Sequence, residues 1–172
     1  MFASILFLVI QLGFFFFLFY LCLAFVTGAP YVPSVNPTAA AMIRLARITP
    51  DTTIYDLGSG DGRLLLLAAQ KGARAIGYEI NPFLVFWSTL RSFFSPYSGT
   101  TKTIWKNFWR VDISGADVVF VYLLPWRMET LGKKLQKELK PGALVVSNSF
   151  IFPGWRILRQ DPKTHVYVFQ VK

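Results

Sequence analysis

The sequence predicts an α/β protein: a doubly wound, mostly parallel sheet of about seven strands, preceded by one N-terminal transmembrane helix. Three observations carry that prediction. Beyond residue 50, short apolar runs alternate with stretches of helical length, the pattern of strand–helix–strand units around a parallel sheet. The run Tyr55-Asp56-Leu57-Gly58-Ser59-Gly60-Asp61-Gly62-Arg63 joins the first such strand to the first such helix through a glycine loop. Residues 1–43 contain no Lys, Arg, Asp, Glu or His, so the whole formal net charge of +9 lies beyond them.

The head comes first in the chain. Ile5 to Val26 is apolar apart from Gln11, with Gly13 and Tyr20 as mild exceptions. Its 22 residues span about 33 Å as a helix, which suits a hydrocarbon core of about 30 Å. A cleaved signal peptide competes with this reading, because Thr27-Gly28-Ala29 offers small residues. The stretch has no basic region before it and exceeds an ordinary signal core, which favours a retained anchor. Cys22 is the only cysteine, which excludes an intrachain disulfide and a cysteine metal cluster. It reads as a lipid-facing or packed thiol. Arg44 and Arg47 are the first charges after the helix, which places the body on the cytoplasmic side. The basic body is drawn to anionic headgroups, or its charge serves solubility. With no compact Lys/Arg stripe, nucleic acid is not expected as a partner. Charged residues are only 16% of the chain, against roughly 25% in soluble proteins.

The expected organisation is an anchor over residues 1–27, a linker and N-terminal helix over 28–50, and a cofactor-binding domain over 51–172. Gly28 to Pro37 holds three prolines and reads as extended. Asn36-Pro37 then supplies a cap and first position for a helix through about Ile48. Strands are expected at Thr53–Leu57, Ala73–Glu79, Thr101–Trp105, Ala116–Leu123, Ala143–Ser149 and His165–Val171, the last paired with Trp155–Arg159. Helices are expected at Arg63–Lys71, Pro82–Phe94 and Trp126–Leu139. In the second of these, Phe83, Phe86, Trp87, Leu90, Phe93 and Phe94 spread round more than one stripe. Core packing accounts for part of that, and contact with lipid or a membrane partner for the rest.

The glycine loop defines the site. Gly58, Gly60 and Gly62 allow a tight turn and a close approach to a ligand, and the following helix aims free N–H groups at the same place. In a dinucleotide fingerprint position 63 would hold a third glycine or alanine; here it is Arg63. Asp56 would repel a pyrophosphate but attract a cationic amino-acid tail. The ligand that fits is S-adenosylmethionine rather than NAD. Glu79, at the end of the second strand, can accept from both ribose hydroxyls. Asn107 and Phe108 offer an amide and a ring to adenine, although ordinary loop residues would look the same.

These residues, together with Tyr31-Val32-Pro33-Ser34, Gly77-Tyr78-Glu79-Ile80-Asn81-Pro82, Asp117 to Pro125 and Leu139-Lys140-Pro141-Gly142 with Ser147 to Phe150, resemble class I methyltransferases, Rossmann-like in fold. More narrowly they resemble the membrane-anchored protein-lysine methyltransferases of the mitochondrial ADP/ATP carrier and ATP synthase c subunit, with their prokaryotic relatives. The likeness covers about residues 28 to 155. It implies cofactor contacts from Asp56, Gly58, Ser59, Gly60, Asp61, Glu79, Ile80, Asn81, Asn107, Phe108, Tyr31 and Ser34. It places Tyr122 and Pro125 beside the methyl group, and in a eukaryote it implies the mitochondrial inner membrane. An uncharged Tyr122-Leu123-Leu124-Pro125 replaces the Asn/Asp-Pro-Pro-aromatic motif of amide methylators. Substrate choice is left to the Tyr31–Thr38 segment, the loops and the membrane.

Methyl transfer is an in-line displacement that relies on proximity and calls for no metal. No general base stands out, and His165, the only histidine, reads as structural. Three functions follow from the sequence: lysine methylation of a membrane protein, methylation of a small molecule or lipid, and cofactor binding without catalysis.

Overall fold

The computed structural model describes residues 2–28, 31–32 and 34–172. Met1, Ala29, Pro30 and Pro33 lie outside the described residues, and with them part of the linker expected over Gly28–Pro37. The elements are five helices, α1 (Phe2–Thr27), α2 (Asn36–Ala46), α3 (Arg63–Ala69), α4 (Pro82–Phe93) and α5 (Pro125–Glu138), and seven strands. The strands are β1 (Thr53–Leu57), β2 (Arg74–Glu79), β3 (Thr101–Trp105), β4 (Val118–Val121), β5 (Leu144–Asn148), β6 (Ile157–Asp161) and β7 (Val166–Gln170).

All seven join one sheet in the order β3-β2-β1-β4-β5-β7-β6. β1 to β5 run parallel, and β7 lies antiparallel between β5 and β6. The chain leaves β1 towards β2 on one side and returns to β4 on the other. That reversal opens a crevice at the carboxyl ends of β1 and β4.

Alternation along the strands builds two cores. Val118 and Phe120 face α2 and α3, where Ala39, Met42, Ala46, Leu65 and Ala68 pack with Ile54, Val146 and Val168. Val119 and Val121 face α5, where Met128, Leu131 and Leu135 meet Val145, Phe152 and Phe169. The alanines of α2 let it lie close to the sheet. Phe120, Phe152 and Phe169 are among the largest fully buried side chains, each worth about 1.5–3 kcal/mol of burial.

β1 and β3 fall where the sequence places them; other boundaries shift for local reasons. α2 stops at Ala46 because Arg47 turns left-handed, with φ 52°. β6 begins at Ile157 rather than Trp155, whose ring is instead packed 5.0 Å from Phe152 and 6.0 Å from Phe169. Phe108–Arg110 forms a short 3-10 turn that the sequence pattern does not announce.

α1 is apolar on every side, and none of Phe2–Leu23 is buried. It is long and apolar enough to cross a membrane. Its far end touches the body. The Gly28 carbonyl accepts from the Leu124 N–H at 2.8 Å, and the Arg127 guanidinium donates to the Val26 carbonyl.

Candidate active site

The crevice at the carboxyl ends of β1, β2 and β4 is a cavity of about 70 Å³, lined among others by Asp56, Gly58, Gly60, Asp61, Glu79 and Tyr122. Ser59, Ile80, Asn81, Tyr31 and Ser34 also line it. The glycine loop holds its shape through positive φ at Gly58, Gly60 and Gly62 (89°, 55° and 74°), a region that side chains other than glycine rarely adopt. Space is as restrictive as torsion. A β-carbon on Gly62 would come within 2.0 Å of Ser88 Oγ on α4, and one on Gly60 within 3.0 Å of the Tyr31 ring.

Glu79 sits at the end of β2 and is buried. Its Oε1 accepts from the N–H groups of Ile80 and Asn81, both at 2.8 Å, and its Oε2 from the Gly60 N–H at 2.9 Å. Burial raises its pKa and these three bonds pull it back, with a net rise. The carboxylate therefore fastens the glycine loop to β2 and keeps one acceptor position on Oε2 for a ligand. That is narrower than the bidentate role expected from sequence.

Asp56 differs. Among the described residues no hydrogen-bond donor reaches its carboxylate, and it is 5% exposed. Burial, then the charges of Glu79 and Asp61, push it up to about 8. A buried acid in that condition is stabilised by an incoming cation.

Asp61 is already paired. Burial pushes it up, but hydrogen bonds and charge from Arg63, with the charge of Arg91, outweigh burial and hold it below the ordinary carboxylate range. Arg63 lies 3.0 Å and Arg91 2.6 Å from its Oδ2. Arg63 also donates to the Ser34 carbonyl at 2.8 Å, while Asn148 donates to the Ser34 hydroxyl at 3.3 Å. Arg63 thus ties the segment after α1 to the loop.

Tyr122, just past β4, lies over Phe150 with ring centroids 6.5 Å apart and planes 24° apart. It belongs both to this cavity and to an adjoining groove of about 470 Å³ lined by Val32, Ser34, Asn148, Ser149 and His165.

Three expected residues lie outside the cavity lining. Pro125 is the first residue of α5. Asn107 Oδ1 accepts from the Trp109 N–H at 3.0 Å and caps the 3-10 turn, and Phe108 is buried in the α5-side core. Sequence reasoning in turn missed Arg91 and Tyr20. Arg91 is 30 positions from Asp61, with no local signal linking them; Tyr20 announces itself only as a polar tip in an apolar helix.

A profile of the ANTKMT methyltransferase domain matches residues 56–159. The chain belongs to that family. A protein-lysine N-methyltransferase of Saccharolobus islandicus is 38% identical over 135 residues, 77% of this chain and 84% of that relative. The Homo sapiens lysine N-methyltransferase named for the c subunit of ATP synthase is 36% identical over 126 residues, 73% of this chain and 54% of that relative. The chain spans about half the length of such animal relatives. A solved structure named as an RNA methyltransferase from Salinibacter ruber, in complex with S-adenosyl-L-homocysteine, superposes with TM-score 0.77 at 34% identity. It covers 81% of this chain and 92% of that one.

This methyltransferase is thus one of the S-adenosylmethionine-dependent enzymes, and its cavity suits that cofactor in chemistry. The unpartnered Asp56 carboxyl suits a cationic tail, Glu79 an adjacent hydroxyl, and the glycine loop a closely held backbone contact. In volume the cavity is closed down, since about 70 Å³ holds only about two waters. The Tyr31 ring over Gly60 is the exposed piece whose displacement would enlarge it.

Proposed function

We propose that this chain is a protein-lysine N-methyltransferase, held in a membrane by α1 and acting on a membrane protein. The observation that carries the reading is the buried, unpartnered Asp56 facing the same cavity as the uncharged Tyr122. It is supported by relatives named as lysine methyltransferases of the ATP synthase rotor-ring protein and of an adenine nucleotide translocase. Asp56, Gly58, Gly60 and Glu79 hold the cofactor, with Tyr31 and Ser34 closing over it. Asp61 acts at one remove, through Arg63. The cytoplasmic side is the side for the body, because Arg44 and Arg47 are the first charges after α1.

S-adenosylmethionine supplies an electrophilic methyl group when bound. The chain's residues then have to present a neutral amine in line with it. The groove beyond Tyr122 admits the acceptor side chain, and the Tyr122–Phe150 wall offers no charge to stabilise an ammonium. Desolvation there lowers the lysine pKa and favours the neutral nucleophile. Its proton leaves towards the open groove.

The test is to incubate native membranes with the enzyme and methyl-labelled cofactor. Label in protein, released on digestion as methyl-lysine, is expected. Label that follows lipid extraction, or that disappears with ribonuclease as the Salinibacter neighbour's name would suggest, overturns the substrate class.

A further inference from the structure

The apolar surface of the body is concentrated at one end. Phe83 and Phe86 open α4, Trp105 ends β3 and Trp126 opens α5; they are 67%, 63%, 63% and 61% exposed. All four lie at the carboxyl ends of the strands, around the cavity. Phe83 follows the Asn81 cap, which accepts its N–H at 3.0 Å. The Trp105 indole donates to the Ile80 carbonyl at 2.8 Å, and Ile80 and Asn81 line the cavity. A soluble monomer seldom exposes so many large rings round one opening.

α1 ends at the same place. Its Gly28 and Val26 carbonyls are held by Leu124 and Arg127, which flank Trp126. Its Tyr20 lines the cavity itself. The 26 residues of α1 measure about 39 Å, about 9 Å more than a hydrocarbon core of about 30 Å. The surplus is the last six or so residues, so a helix that spans the bilayer has Tyr20 or Leu21 at the boundary. The cavity that Tyr20 lines then stands at the boundary too. Trp105 and Trp126 are each followed by a base, Lys106 and Arg127, the pairing of ring and cation that suits a headgroup layer.

We propose that the body rests on the phospholipid bilayer through this rim, with the mouth of the active site facing the membrane. The placement follows from α1 as a membrane helix, one part of the proposed function, and does not depend on which acceptor is methylated. A lysine within a few ångströms of the headgroups is then within reach, and one on a long soluble domain is not.

The full chain is reconstituted in protein-free vesicles of neutral and anionic phospholipid whose acyl chains carry bromine near the headgroup. Tryptophan emission is expected to be quenched, and the quenched component to be lost in the variant Trp105→Phe, Trp126→Phe. Replacing Phe83 and Phe86 by Ser is expected to weaken quenching. Replacing Phe93 and Phe94 by Ser, equally exposed but at the opposite end of α4, leaves it unchanged. Circular dichroism confirms that each variant folds. Absence of quenching, equal effects of the two Phe pairs, or quenching that needs an added membrane protein overturns the proposal. None of these outcomes bears on cofactor binding or methyl transfer, which are measured separately.

Discussion

On the β1–β2 side of the cavity three carboxylates, Asp56, Asp61 and Glu79, are crowded into buried positions. On the β4–β5 side the wall is Val121, Tyr122 and Phe150, without a charge. The first side is held together by backbone N–H groups and arginines, the second by ring packing. The division matches the two jobs of the enzyme. A charged cofactor is held by fixed charge, whereas an acceptor amine is made reactive where charge is unwelcome.

The largest effect is expected on the charged side. Glu79→Ala leaves the Gly60, Ile80 and Asn81 N–H groups without their acceptor, at about 1–3 kcal/mol for each buried donor. Cofactor binding measured by calorimetry should vanish; binding as in the native chain would mean that the loop is ordered without it.

Tyr122→Ala tests the uncharged side. Turnover should fall about a hundredfold from lost alignment, while cofactor affinity stays near native. A loss of affinity instead would erase the division between the two walls.

Asp56→Asn is next. Affinity should drop about tenfold or more, the worth of a charged hydrogen bond at about 1.5–3 kcal/mol. Its second signature is in pH. The Asp56 carboxyl, ordinarily at 3.8, sits at about 8 in the fold. The folded protein keeps a proton that the unfolded chain releases, so this group's contribution is fully present below about 4 and is lost as pH rises to about 8. The melting temperature of the ligand-free variant should exceed the native one at pH 8 and match it at pH 4. Native cofactor binding should release a proton near pH 7, read from calorimetry in buffers of different ionisation enthalpy.

The smallest effect is expected from Arg91→Ala. Its partner Asp61 keeps Arg63, and Arg91 is itself partly exposed, so the pair is worth about 1 kcal/mol or less. The cofactor dissociation constant should rise no more than a few-fold.

Much of this site was legible in the chain. The loop from Asp56 to Gly62 and the acid at Glu79 were readable because strand, tight turn and helix follow one another within a few residues, and each requires particular side chains. Asn107 and Phe108 were less so. An amide and a ring after a strand suggest a ligand, yet Asn107 caps a turn and Phe108 fills the core. The competing local uses, a cap and a burial, have the same residue preferences. Asp61 also changed meaning, from a ligand contact to the centre of an ion-pair cluster.

The sequence by itself determined the alternation of strands and helices, the glycine loop and the uncharged head, since each is set by neighbours along the chain. Only the tertiary structure brought Arg91 to Asp61, Asn148 to Ser34, and Tyr20 to the cavity mouth. Those partners are 30 to 114 positions apart or lie across an apolar helix, and sheet order rather than local propensity decides which of them meet.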